Sequence, residues 1–252
     1  MKHDMRMRGV IERRLLVNYR GDPQVAQGLL PAGLRPVLAD ASAVVGICML
    51  RLGQLRPDGA PASLGRRSEN VAHRITVEWD DDGGVVRRGV YIPRRDSASR
   101  LNVAAGGRLF PGVHRAARFE VREDARRVEV SAWSPHEAWH VAARVERHGP
   151  DSSRLFAGRD AAATFFRDAS IGWSPGRRRE LEGVEMALES WSLEPVVVRD
   201  VRSSFLDDPN VFPPGSLELD GAYLMSDVPV LCRAVDAKPP GRRLASASSA
   251  TC

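Results

Sequence analysis

Lysine is almost missing from this chain. Among 252 residues only Lys2 and Lys238 are lysines, so nearly all of the 37 basic side chains are arginines. Such a bias is usual where a genome is GC-rich and is not by itself a nucleic-acid signature. Cysteine is scarce too. Cys48, Cys232 and Cys252 stand far apart without motif spacing, which excludes a disulfide framework and a cysteine-based zinc site. Cys48 lies inside the apolar run VVGICML and reads as a small core hydrophobe. No apolar run reaches the roughly 18 residues of a membrane-spanning helix. The start, MKHDMRMRGVIERR, has no apolar stretch after its basic residues; neither a membrane helix nor a secretory signal is expected. Aromatics make up 6%, and the densest basic runs, RRR at 177–179 and RR at 66–67, have none interleaved. A solvated basic face is expected there rather than a base-stacking nucleic-acid surface.

What remains is ordinary for a soluble globular protein: 43% apolar and 27% charged residues, with a formal net charge of +5. The length allows one large domain or two small ones, with a substantial core either way. We read one domain over 1–235 of a cytoplasmic protein. The segment 236–252, rich in Pro, Ser and Ala, is expected to be a disordered tail.

Strand signals dominate. ASAVVGICMLRL (41–52) reads as a buried strand. ENVAHRITVEW (69–79), the turn DDDGG and VVRRGVYIP (85–93) read as a hairpin. ARFEVRE (117–123) and RRVEVSAW (126–133) read as a second hairpin around Asp124 and Ala125, and WHVAARVER (139–147) alternates as a strand. Further strand-like stretches lie at 192–205 and 222–235, where Pro229 argues for an edge or a break. Three short helices are expected. One spans 22–31, capped by Asp22 with Pro23 at its first position; another spans 97–106 with Ser97 as cap; the third spans 158–170, with Asp160 or a neighbour as cap. Neither GVYIPRR nor AAGGRLFPG has the spacing of a phosphate-binding loop. Many strands, few helices and no strand–helix alternation predict an α+β fold, mainly antiparallel β and barrel-like.

HEAWH (136–140) has the spelling of a zinc-protease motif. On a helix, His136 and His140 would share one face about 6 Å apart, with Glu137 to activate a metal-bound water. Ser134 and Glu137 have capping-box spacing, and Pro135 suits a first helical position. Ser134-Pro135 equally suits a type I turn between the flanking strand-like segments. In a strand the two histidines would stand roughly 13 Å apart. The hairpin is the preferred reading, with no metal, and the zinc hydrolase is kept as the alternative.

Several segments in order carry a resemblance: RRLLVNYRGDP, SENVAHRITVEW, GVYIPRRDSASRL, residues 106–119, FFRDASIGWSP, SSFLDD with FPPGS, and AYLMSDVP. Over roughly residues 10–230 the chain resembles the uncharacterised YqjF-like proteins, a domain of unknown function in the acetoacetate decarboxylase-like superfamily. The resemblance implies a cone-shaped antiparallel β-barrel with a few short helices around a small-molecule pocket. In acetoacetate decarboxylases, two adjacent lysines after a proline form and activate a Schiff base. Pro93-Arg94-Arg95 falls at that position here, and an always-protonated guanidinium forms no imine.

The expected function is therefore binding of a small carboxylate or keto acid, with a lyase-, hydratase- or isomerase-type reaction that uses no imine. Arg94 and Arg95 are the candidate substrate anchors, through bidentate pairing with a carboxylate. Glu69 matches the superfamily's pocket glutamate and is the candidate acid/base; His73 and His114 are the other candidate catalytic groups. No cofactor, membrane or nucleic-acid partner is expected, and a homo-oligomer is left open. A non-enzymatic ligand carrier or sensor on the same barrel is the remaining alternative.

Overall fold

The computed structural model describes residues 6–178 and 180–235; Lys2, Lys238, Arg179 and the segment read above as a tail lie outside the described residues. In chain order the elements are β1 (Arg6–Gly21), α1 (Pro23–Gly28), β2 (Arg35–Pro36), β3 (Leu38–Ala39), β4 (Ser42–Pro57), β5 (Arg66–Asp80), β6 (Val86–Ser97) and α2 (Arg100–Ala105). They continue with β7 (Arg115–Ala116), β8 (Arg118–Glu123), β9 (Arg127–Trp133), β10 (His140–Glu146), α3 (Arg159–Asp168), β11 (Ile171–Pro175), β12 (Leu181–Leu188), β13 (Glu194–Ser203), β14 (Leu217–Met225) and β15 (Val228–Val235).

Seven strands close a barrel in the order β1-β4-β5-β6-β11-β12-β15 and back to β1. Every neighbouring pair in it is antiparallel except β6–β11. Closure removes the sheet edges that would otherwise be left unpaired. Strand β1 is the hub. One side pairs along its length with β4, while the other pairs first with β15 and then, from Arg14 on, with β14. Through β14 a second layer, β13-β10-β9-β8, branches off and folds over the barrel's outer face.

The strand period of two sorts the side chains. Outward residues such as Leu15, Ile47, Val71, Ile75 and Trp79 pack against Val128, Val130, Val141 and Val145 of the second layer. Inward residues such as Leu16, Cys48, Val184 and Cys232 pack with Phe156 and Phe166 around α3, which fills one end of the barrel. One irregularity matters for function. His73 pairs with Arg94 and Ile75 with Tyr91, so Arg74 of β5 faces two residues of β6, Ile92 and Pro93. This is a β-bulge, a place where a strand tolerates a proline that cannot donate a ladder hydrogen bond. One extra residue exchanges the two faces of the strand beyond it.

Most of the expected elements are present with shifted ends. Asp22 caps α1, its Oδ1 accepting from Gln24 N and Val25 N at 2.8 and 3.0 Å. Ser99 rather than Ser97 caps α2; Ser97 donates instead to Asn70 Oδ1 at 2.7 Å. The cap of α3 is Gly158, and Asp160 lies in its first turn. Pro229 sits second in β15, which has β1 on one side and β12 on the other, so it marks a strand start rather than an edge or break. Sequence pattern alone does not reveal β1, β11 or β12. RMRGVIERRLLVNYRG looks too charged for a hub strand because both of its faces accept arginines.

Candidate functional site

A cavity of about 410 Å³ occupies the barrel interior. Its walls are residues of all seven barrel strands, among them Arg14, Cys48, Asn70, Arg74, Arg95 and Cys232, closed on one side by α2 and the loop that follows it. Leu64, Leu101 and Leu109 line it while remaining exposed, and so mark its mouth. A polar cluster holds α2 in place: Asn102 Nδ2 donates to Asn70 Oδ1 and to the Ser97 and Ser68 hydroxyls.

Arg95 reaches this cavity and Arg94 does not. The bulge at Ile92–Pro93 turns Arg95 inward and leaves Arg94 and Asp96 on the outer face. There Arg94 grips Asp96 through Nε and Nη2, both at 2.8 Å, donates to Glu137 at 2.8 Å, and stacks 4.2 Å over the Trp139 ring. Arg95, by contrast, has no hydrogen-bond or ion-pair partner among the described residues, and its Nε is buried without one. Two glycines make room for its guanidinium: a Cβ at Gly112 would lie 3.4 Å from Nη1, and one at Gly172 would lie 3.1 Å from Nη2. Gly112 also has φ +84°, which favours glycine. The nearby Glu182 carboxylate exerts some pull on Arg95 and accepts a hydrogen bond from Gly112 N at 2.7 Å. Burial still dominates and lowers the Arg95 pKa to about 10, so the side chain remains a cation at neutral pH.

His114 lines the same cavity. Burial first, and the Arg95 charge second, push its pKa down to about 4, which keeps the imidazole neutral near pH 7. Its Nδ1 is buried and unpartnered.

Glu69 and His73 are placed on the other face of β5. Glu69 accepts from Arg13 Nη2 at 2.6 Å and from Arg51 Nε at 2.5 Å, and both arginines also bind Glu123. Its carboxylate serves an ion network beneath the second layer rather than the cavity. His73 is buried between Trp139 and Phe205, with Nε2 2.8 Å from the Ser203 hydroxyl. Burial and then Arg94 push its pKa down to about 3. The structure thus brings together Arg95 and His114, and sets Glu69, His73 and Arg94 apart from them across the barrel wall.

HEAWH is not helical: residues 136–139 lie in the loop joining β9 to β10, and His140 opens β10. The Ser134 hydroxyl accepts from His136 N and Glu137 N in a turn, and the Glu137 carboxylate is bound to Arg94 and Arg115. The helical face that the zinc reading requires is not formed, and no cluster of three His, Cys, Asp or Glu able to hold a metal occurs among the described residues.

Two cavity arginines were not singled out from the sequence. Arg74 is 3% exposed; its Nε and Nη1 are buried without partners, its Nη2 donates to the Asn18 side-chain oxygen, and its guanidinium stacks 4.8 Å over Phe166. Arg14 stacks 5.3 Å over Trp191, with its Nε likewise unpartnered. The available signal was an arginine at an inward parity beside apolar neighbours in an alternating strand.

Residues 10–223, which run from the hub strand β1 into β14, match the family model DUF2071, described as an uncharacterized conserved protein. The chain belongs to the DUF2071 family. No curated protein matches the sequence. Solved structures extend the fold comparison for this DUF2071 protein. Acetoacetate decarboxylase from Legionella pneumophila aligns with a TM-score of 0.59 at 11% identity, covering 93% of this chain and 88% of that one. The enduracididine biosynthesis enzyme MppR complexed with pyruvate aligns at 0.59 and 15% identity, covering 94% and 91%. An acetoacetate decarboxylase-like enzyme from Sphingomonas wittichii RW1 aligns at 0.55 and 14%, covering 94% and 93%. At such identities the likeness is one of fold, and it agrees with an acetoacetate decarboxylase-like branch.

Proposed function

We propose that this DUF2071 protein binds a small organic carboxylate, a keto acid foremost, inside its barrel, with Arg95 as the anchor. The observation that carries this reading is a half-buried guanidinium, seated between Gly112 and Gly172, that lines a 410 Å³ cavity, with its Nε buried and no hydrogen-bond or ion-pair partner among the described residues. A cation partly withdrawn from water without a partner is costly, and a ligand carboxylate supplies the planar bidentate partner that a guanidinium fits. The pyruvate held by the fold neighbour MppR is a ligand of this class.

Any reaction at this site proceeds without an imine, since no lysine occurs between Lys2 and Lys238. His114, neutral and beside Arg95, is then the group positioned to exchange a proton with a bound keto acid in a lyase-, hydratase- or isomerase-type step. A non-enzymatic carrier is the second reading. It is favoured by the depressed His114 pKa, which makes that imidazole a weak base near pH 7, and by the placement of Glu69 and His73 outside the cavity.

The test is calorimetric titration with pyruvate and acetoacetate. Arg95→Ala should weaken binding about 30-fold or more, on the scale of a lost buried charge contact, while Arg94→Ala should leave it nearly unchanged. Equal losses in both variants, or none in Arg95→Ala, would defeat the assignment. Proton exchange at C3 of bound pyruvate, followed by NMR in heavy water and abolished in His114→Gln, separates enzyme from carrier.

A further inference from the structure

Resting on the reading of a keto-acid cavity, we infer that its ligand carries two anionic groups, a dicarboxylic keto acid, with the second carboxylate held by Arg74 and Arg14. Three guanidiniums share one enclosed space. Arg14, Arg74 and Arg95 all line the same cavity, with Cys48 and Cys232 in the wall beside them. Burial pushes the Cys232 thiol up to about 12, so it brings no counter-charge at neutral pH.

Little in the protein balances them. Neither Arg14 nor Arg74 has a carboxylate partner among the described residues; the bond from Arg74 Nη2 goes to an uncharged amide, leaving Nε and Nη1 buried and unpartnered. Of the acidic residues at the site, Asp96 is gripped by Arg94, and Glu182 faces Arg95. A monocarboxylate bound to Arg95 would leave the other two charges uncompensated in a low-dielectric space. A second carboxylate supplies what they lack. The cavity also falls within the size range that encloses drug-sized ligands, well beyond a three-carbon acid. Its apolar stretch, with Leu50, Val90 and Met186, suits the methylenes between two charged ends.

The experiment compares 2-oxoglutarate with 2-oxopentanoate, which share a five-carbon keto-acid skeleton and differ in the terminal carboxylate. Calorimetric titration of the full chain should show 2-oxoglutarate bound at least about tenfold more tightly. Arg74→Met and Arg14→Met should each shrink that preference to about twofold or less, with 2-oxopentanoate affinity kept. Circular dichroism and thermal melts confirm that each variant is folded, and the second variant carries the test if the first does not fold. Equal affinity for the two acids in the wild type overturns the second anion while leaving the keto-acid site standing. So does a preference that survives both substitutions. Failure of both acids to bind overturns the keto-acid reading itself, and this inference with it.

Discussion

Of the adjacent basic pairs on barrel strands, three are split between two very different surroundings: Arg13-Arg14, His73-Arg74 and Arg94-Arg95. Arg13, His73 and Arg94 point outward beneath the second layer; Arg14, Arg74 and Arg95 point inward. Every outward member has a partner: Arg13 binds Glu69 and Glu123, His73 binds Ser203, and Arg94 binds Asp96 and Glu137. No inward member has a carboxylate within ion-pair distance among the described residues, though all three line the cavity and each has a buried, unpartnered Nε. Structural cations carry their counter-ions with them, because an unpaired buried charge costs too much otherwise. The anionic ligand proposed above would give this interior wall the counter-charge that its three arginines lack in ion pairs among the described residues.

The largest test of this contrast is stability. Arg13→Met should destabilise by about 3 kcal/mol, since it removes the buried member of the network and leaves Glu69 and Glu123 to share Arg51 alone. Arg74→Met, at a site just as buried, should cost nothing or stabilise the ligand-free protein. Urea unfolding measures both; a comparable loss in Arg74→Met would make Arg74 a structural residue and erase the distinction between the faces.

A smaller effect should appear with pH, and here the two faces behave alike. Burial lowers His73 to about 3 and His114 to about 4, whereas an unfolded histidine titrates near 6.5. Below pH 6.5 the unfolded chain therefore binds protons that the native protein refuses. Stability is complete above that pH and falls as the pH drops towards 4 and then 3. His114→Gln should flatten this loss between pH 6.5 and 4, and His73→Gln should do so across the wider range. Urea midpoints at pH 7, 5.5 and 4.5 would record it; an unaltered slope in both variants would contradict the burial account.

The smallest effect concerns the HEAWH loop. His140→Ala should change stability by no more than about 0.5 kcal/mol, as for most exposed positions, and zinc should not raise the melting temperature of either form. A zinc-dependent rise lost in the variant would restore the metal reading.

Much of the fold was legible from the chain. An apolar run marked β4, alternation marked β5 and β10, and hairpin pairing marked β6, β8 and β9, with aspartate turns in the hairpins: Asp81 Oδ1 accepts from Gly83 N and Val85 N, and Asp124 Oδ1 from Arg126 N and Arg127 N. Strand β1 was not legible, because its arginines look like surface residues until two different faces are built around them. At the site, the pairing of arginines after Pro93 was visible, but their division was not. Counting by twos from Val90 and Ile92 along β6 would turn Arg94 inward. The bulge reverses that count, so Arg95 enters the cavity instead.

The sequence by itself determined the strand pattern, the absence of lysine after Pro93 and the arginines that stand there instead. Those follow from local periodicity and from side-chain chemistry, which need no partner. Only the tertiary structure decided which member of each basic pair met a carboxylate. That choice depends on strand parity after a one-residue bulge and on contacts between residues as distant as Arg13 and Glu123, which exist only once the barrel closes and the second layer folds over it.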